Sequence, residues 1–245
     1  MTDFPPQRRA PAAHLHPRIV PWRHALAWYE DAMRLFKRSP AMLSVLAIVA
    51  IASGIALRAV PVAGSLLSEV VTPLFACGLV YGSAAADRGA APRLGDALRA
   101  FRESTGAITA IVASALLAFG AEAFAAWWIA DADLLPTAVQ SVDLTPAGAI
   151  GVYALGMLAS LPVMFVPFHV LFERVQPAAA FAASWNAFAL NTVPLLVYAA
   201  ASLVLAGFSV ATMGVGLVLA LPLWAASSYA GWKDVFGVRD APCDG

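Results

Sequence analysis

The sequence predicts an all-α, polytopic membrane bundle: six transmembrane helices forming three hairpin units, each preceded by a cytoplasmic interfacial amphipathic helix. Three observations carry this. The 245 residues are 61% hydrophobic and 12% charged, with a mean hydropathy of +0.76. Soluble domains carry about a quarter charged residues, so too few charges are present to cover a water-soluble fold, and the bilayer becomes the natural solvent. The apolar residues also gather in runs of roughly the 20 residues that a helix needs to cross a hydrocarbon core. Finally, the cationic residues fall almost entirely between alternate runs.

Taken in order, residues 1–24 are polar and proline-rich (Pro5, Pro6, Pro11, Pro17, Pro21), with Arg8, Arg9, Arg18 and Arg23. No apolar stretch suited to a cleavable signal peptide follows before residue 41, and the segment reads as a disordered cytoplasmic arm. A single integral membrane domain is expected over 25–237. Its spans fall at about 41–60, 67–86, 106–130, 148–171, 193–211 and 214–232. The apolar run 193–232 is too long for one helix, and Gly214 and Gly216 within "ATMGVG" offer the turn. The runs are too long and continuous for the strands of a barrel. Residues 238–245 read as a cytoplasmic tail. Cys77 lies in an apolar run and Cys243 in that tail, so neither a disulfide framework nor a metal site is expected.

Charge placement tests the count independently. Of 15 Lys and Arg, seven precede the first span, four (Arg88, Arg93, Arg99, Arg102) lie between the second and third, Arg174 lies between the fourth and fifth, and Lys233 and Arg239 follow the sixth. If six helices alternate, 14 of the 15 share one side and only Arg58 stands on the other. The loop 131–147 holds Asp131, Asp133 and Asp143 and no cation. The positive-inside rule then puts both termini in the cytoplasm. The preference for Arg over Lys, 13 to 2, with abundant Ala and Gly, has the look of a GC-rich bacterial genome.

One phrase recurs. "MRLFKRSP" (33–40), "LRAFREST" (98–105) and "WNAFALNT" (185–192) set Phe36, Phe101 and Phe188 in the same position before an apolar run. Over 26–38, Leu26, Tyr29, Met33 and Phe36 form one helical stripe opposite Glu30, Arg34 and Lys37. Residues 92–103 repeat the design with Leu94, Leu98 and Phe101 against Arg93, Asp96 and Glu103; residues 178–190 keep Phe181, Trp185 and Phe188 with almost no charge. Each segment is too polar or too short to span and is suited to lie in the interface. A stop follows each: Ser39-Pro40, Ser104-Thr105, and Asn191-Thr192 with Pro194. Pro73, Pro162 and Pro222 mark the returning spans. The unit of interfacial helix, cap, span, turn and returning span therefore reads as three tandem repeats, the alternative being three chance matches of the amphipathic helices that naturally precede spans.

These residues carry a resemblance. The opening Trp28, Ala32, Leu35, Phe36 and Pro40, the stretch "TPLFACGLVYGSAAADRG" (72–89), and the close from Pro222 to Phe236 resemble a family of uncharacterised proteobacterial six-span inner-membrane proteins. That family is distantly similar to the membrane domain found ahead of some glycerophosphodiester phosphodiesterases. The likeness covers most of 25–237 and implies the fold. It implies no activity, because the family has none established and no hydrolase domain accompanies it here.

Ionisable residues within spans are the default functional candidates. Arg58, Glu69 and Glu122 form a possible polar intramembrane cluster in the outer half, either a pocket or relay, or a structural pairing of the first three spans. His169 lies near the inner end of the fourth span and reads as a satisfied polar residue. Gly78 and Gly82 have the spacing of a helix-packing motif, inside the bundle or between protomers. Trp127 and Trp128 mark the outer interface. Arg34, Lys37, Arg38, Arg93, Arg99 and Arg102 form juxtamembrane clusters fit for lipid headgroups or an acidic partner. No nucleophile elbow, HExxH, Walker loop or Cys/His cluster is present in the sequence. A non-enzymatic scaffold or accessory subunit is expected, without a cofactor or nucleic acid. Its partners would be membrane lipids, a second copy, or another inner-membrane protein. The alternative is a transporter or channel for a small or lipid-like substrate.

Overall fold

The computed structural model describes residues 15–60, 64–130 and 145–238, and every element among them is helical. Helix α1 is His24–Arg38, α2 Pro40–Arg58 and α3 Gly64–Asp87. A 3-10 helix, Leu94–Arg102, leads into α4, Thr105–Ala130, and α5, Pro146–Ser160. A 3-10 turn (Leu161–Val163), the short α6 (Val166–Phe168) and a π-turn (His169–Glu173) follow. The chain closes with α7 (Pro177–Leu190), α8 (Thr192–Ala211) and α9 (Leu217–Phe236). The acidic stretch 131–144, the arm residues 1–14, Cys243 and Arg239 lie outside the described residues.

The breaks have local causes. Proline cannot donate a backbone bond and clashes with the carbonyl one turn back. Pro162 and Pro167, five residues apart, therefore break the fourth apolar run, and its two halves, Ala147–Val163 and Val166–Glu173, meet at 42°. Lipid offers no partner to a freed backbone group; here the Ser184 hydroxyl on α7 accepts from the Phe165 N–H at 3.2 Å. Pro73 and Pro222 are carried within continuous α-helix. The turn before α9 takes positive φ at Met213 and Gly214 (51° and 87°), and the Gly214 N–H bonds back to the Ser209 carbonyl at 2.8 Å.

Six spans are expected from the sequence. Among the described helices four are long and apolar enough to cross a membrane, Pro40–Arg58, Leu66–Asp87, Thr105–Ile129 and Thr192–Ala211, and the bent pair makes a fifth if it is one span. Helix α9 lacks that continuous apolarity because Ser227, Ser228, Tyr229, Lys233 and Asp234 occupy its second half. Its packing explains how it carries them. The hairpins α2–α3 and α4–α5 pack along their lengths, but α9 barely touches α8 and instead lies against α1, α3 and α2. The third unit is thus not a packed hairpin: its last helix is the centre of the bundle, and the largest core cluster joins Trp28, Phe165, Leu195, Tyr198, Leu223 and Trp232.

The three short segments share one inverted pattern. In α1, Ala25, Trp28, Ala32 and Leu35 are buried, whereas Leu26 and Met33 of the predicted stripe are exposed and Tyr29 and Phe36 are half-buried. In the 3-10 helix Ala97 and Ala100 are buried, and Leu94, Leu98 and Phe101 face outward. In α7, Ala180, Ala183, Ser184 and Ala187 are buried, and Trp185 is 59% exposed. In the 3-10 helix and α7 small residues let the segment approach the bundle closely and large apolar side chains are left for the surroundings, whereas α1 also buries Trp28 and Leu35 and leaves Leu26 and Met33 outside. Water would favour the reverse.

Residues 15–23 correct the expectation of a free arm. Val20 is buried, the Arg18 N–H donates to the Val235 carbonyl (2.8 Å), and the Asn191 side chain accepts from the Val20 N–H (2.8 Å) while donating to the Arg18 carbonyl (3.0 Å). An extended, proline-rich strand leaves its backbone groups unpaired, and Asn191 supplies both a donor and an acceptor. Asn191 therefore staples this segment instead of capping α8, where its side chain makes no cap bond. Ser104 does cap, accepting from the Ala107 N–H at 3.2 Å. Ser39 does not, and Pro40 alone starts α2.

Candidate functional site

Two polar clusters lie at opposite ends of the bundle, and an apolar cavity lies between them. At the end far from the basic segments, the α2–α3 turn brings Arg58 onto Glu69, with Nη2 2.8 Å from Oε1. Arg58 is mostly exposed and Glu69 mostly buried, so the cation extends outward over a carboxylate held in the bundle. Glu122 on α4 makes no hydrogen bond or ion pair among the described residues. It lies across Gly156 of α5 so closely that a Cβ there would collide with its side-chain carbons, and Glu69 and Arg58 are the charges that act on it. The structure therefore joins Arg58 and Glu69 directly and sets Glu122 beside them on the α4–α5 seam. Trp127 and Trp128 are exposed about one and a half turns further on, in ring contact with Phe124.

The basic end holds a larger network that the sequence reading did not foresee. Asp234, in the last turn of α9, accepts from Arg18 (2.6 Å), His24 (2.7 Å) and the Trp28 indole (3.0 Å). Burial alone would raise its pKa; the hydrogen bonds from Trp28, His24 and Arg18 outweigh this and hold the carboxyl below its ordinary value. One helix away, Asp87 at the end of α3 meets Lys233 (2.5 Å) and the Tyr229 hydroxyl (3.3 Å). The Arg38 guanidinium donates to the Ala86 and Asp87 carbonyls, capping α3 from α1. A cleft of about 350 Å³ runs between these groups. Each Asp faces its own cations, so the arrangement clamps α1, α3 and α9 together. The only sequence signal was the presence of charge at the ends of apolar runs. Their pairing spans up to 216 residues and leaves no local pattern.

Behind the clamp the Tyr29 hydroxyl bonds Ser202 at 2.5 Å. Burial pushes the Tyr29 phenol above its ordinary value, so it stays protonated. The Tyr198 hydroxyl gathers with those of Ser227, Ser202, Tyr29 and Ser228. His169 is fully buried, with Nδ1 on Glu173 at 2.8 Å and its ring edge-on to Phe236. Gly78 and Gly82 are spent inside the molecule: a Cβ on Gly78 would strike the Ala97 backbone, and one on Gly82 would strike Leu43 and Leu46. The predicted headgroup contacts Arg34, Lys37, Arg38, Arg93, Arg99 and Arg102 are all exposed at one end. Arg34 pairs with Asp31 (2.9 Å) and Arg99 stacks on Tyr81 (4.3 Å).

A second cavity, also about 350 Å³, is walled by α3, α4, α5, α8, α9 and the broken segment. Its lining is mainly aliphatic and includes neither Glu69 nor Glu122. Among the described residues no three His, Cys, Asp or Glu side chains converge as a metal site would require. No family model, curated protein or solved structure matches this chain.

Proposed function

We propose that this chain is a six-span protein of the bacterial inner membrane, with both termini in the cytoplasm, acting without catalysis as a scaffold or accessory subunit at the inner leaflet. In this reading it belongs with the uncharacterised six-span proteins it resembles in sequence. Its partners are membrane lipids and, through them or directly, another inner-membrane protein or a second copy. The observation that carries the reading is that α1, the 3-10 helix and α7 all turn large apolar side chains outward, Leu26, Leu98 and Trp185, with exposed cations on the first two. Apolar side chains at headgroup depth bury in the acyl boundary, and each Lys or Arg adds about 1 kcal/mol of attraction to an anionic surface. Helix α9 serves as the sixth span because neighbouring helices, not lipid, cover its polar half.

The test is lipid composition. Protein excised with its surrounding bilayer is expected to carry a severalfold excess of anionic over zwitterionic lipid, measured by mass spectrometry. Replacing Lys37, Arg93 and Arg102 together by Gln should abolish the excess without lowering the yield of folded protein. Equal lipid ratios for both proteins would sink the reading.

The mid-bundle cavity favours a second reading, a carrier for a lipid-like substrate. Its aliphatic lining speaks against a polar cargo, since neither carboxylate borders it.

A further inference from the structure

We propose that the mid-bundle cavity holds a single hydrocarbon chain whose carbonyl oxygen accepts a hydrogen bond from the Tyr153 hydroxyl. Protein interiors leave few voids larger than a water molecule. This cavity opens widely at the bundle surface, so within a bilayer hydrocarbon has access to it. A cavity of about 350 Å³ walled by Pro73, Ile111, Met157 and Leu221 is therefore a site for an apolar occupant, and its methionine wall adapts to the occupant's shape.

The polar groups in the walls narrow the chemistry. Ser114, Ser160 and Ser228 turn their hydroxyls back onto their own helices, to Ala110 (2.8 Å), Met157 (2.7 Å) and Trp224 (2.8 Å). Tyr198 is gathered into the serine cluster behind. Tyr153 differs. Its ring is held flat on Trp224, with centroids 5.7 Å apart and planes 26° apart, and its hydroxyl has no hydrogen-bond partner among the described residues. Unpartnered phenol and indole donors within lipid are costly, and both call for an acceptor. An oxygen acceptor carried on an apolar body satisfies both the hydroxyl and the volume. The ester carbonyl of a bilayer lipid and the ring carbonyl of an isoprenoid quinone share this chemistry. The inference rests on the second reading, of a lipid-like substrate, and is independent of the leaflet contacts.

The experiment uses the full chain, stripped of lipid in mild detergent. It is offered palmitoyl lysophosphatidylglycerol or decyl-ubiquinone, with stoichiometry read by native mass spectrometry and affinity by calorimetry. One probe is expected to bind one to one. Lysolipid binding names the bilayer as the source, and quinone binding names the isoprenoid pool. Tyr153→Phe should weaken binding at least tenfold with the melting temperature unchanged. Ala118→Trp, which fills the cavity, should abolish binding; Ala115→Leu serves if the larger residue lowers the folded yield. Failure of both probes to bind, or equal binding by wild type, Tyr153→Phe and the filled variant, overturns the proposal. The triple Gln variant of Lys37, Arg93 and Arg102 should bind the probe normally, so failure of the leaflet reading is told apart from failure of this one.

Discussion

Asp234 is where a single atom matters most. Its carboxylate collects Arg18, His24 and the Trp28 indole at one point. Its folded pKa lies below the ordinary value, so the folded state binds fewer protons than the unfolded chain there. The stability this contributes is complete above the unfolded pKa of about 3.9 and is lost as pH falls through the lower folded value. Wild type is therefore expected to lose thermal stability on acidification below about pH 4. Asp234→Asn should melt lower at pH 7, by about 1–3 kcal/mol, and show a flatter acid limb in a detergent melt. Gly156 is the second such position. Alanine there collides with Glu122, and overpacking of this kind costs about 1–3 kcal/mol. Adding Glu122→Ala should return most of that loss. If the double variant is no better than Gly156→Ala alone, Glu122 does not lie where the geometry puts it.

Among the elements, the junction of α7 and α8 is the most informative. In sequence Asn191, Ser104 and Ser39 are equivalent caps of three equivalent spans. Only Ser104 behaves so, because Asn191 has a longer, two-faced side chain and an unpaired strand within reach. Asn191→Ala should release residues 15–20 at a cost of about 1–3 kcal/mol for the stranded backbone groups. The check is faster proteolysis near Arg18 and Arg23 in variant than in wild type, with the rest of the chain resistant. A cleavage rate unchanged by the substitution would mean that the staple is not what holds the strand. The three phenylalanines do answer to a common design, since each sits three residues before its break. Phe36 and Phe188 pack on the central core, and Phe101 meets Phe75 edge-on at 4.9 Å.

Over the whole molecule, the clamps at the basic end tie α1, α3 and α9 so that the last helix runs through the middle. The consequence for topology is testable. Alkaline phosphatase inserted between residues 131 and 144 is expected to be active, and green fluorescent protein at the C-terminus to fluoresce. A dark C-terminal fusion would mean that α9 does not complete a sixth crossing. The glycines speak to assembly in the same way: Gly78 and Gly82 face Ala97 and α2, so a dimer, if formed, uses another surface.

What the sequence by itself determined was the class of fold and the position of nearly every break. Hydropathy, charge alternation, proline and cap residues act over a few neighbouring positions, and the starts at Pro40, Thr105 and Thr192 follow from them. It also brought Arg58 to Glu69, because eleven residues and one turn separate them. Only the tertiary structure decided which face of each interfacial segment is buried. An apolar stripe looks the same whether it meets protein or lipid, and the neighbouring helices decide which face is covered. Only the tertiary structure placed α9 at the centre, closed the Asp234 and Asp87 clamps, and left a cavity beside Tyr153. Those depend on contacts between chain segments far apart in sequence, where packing volume and charge pairing select partners that no local pattern encodes.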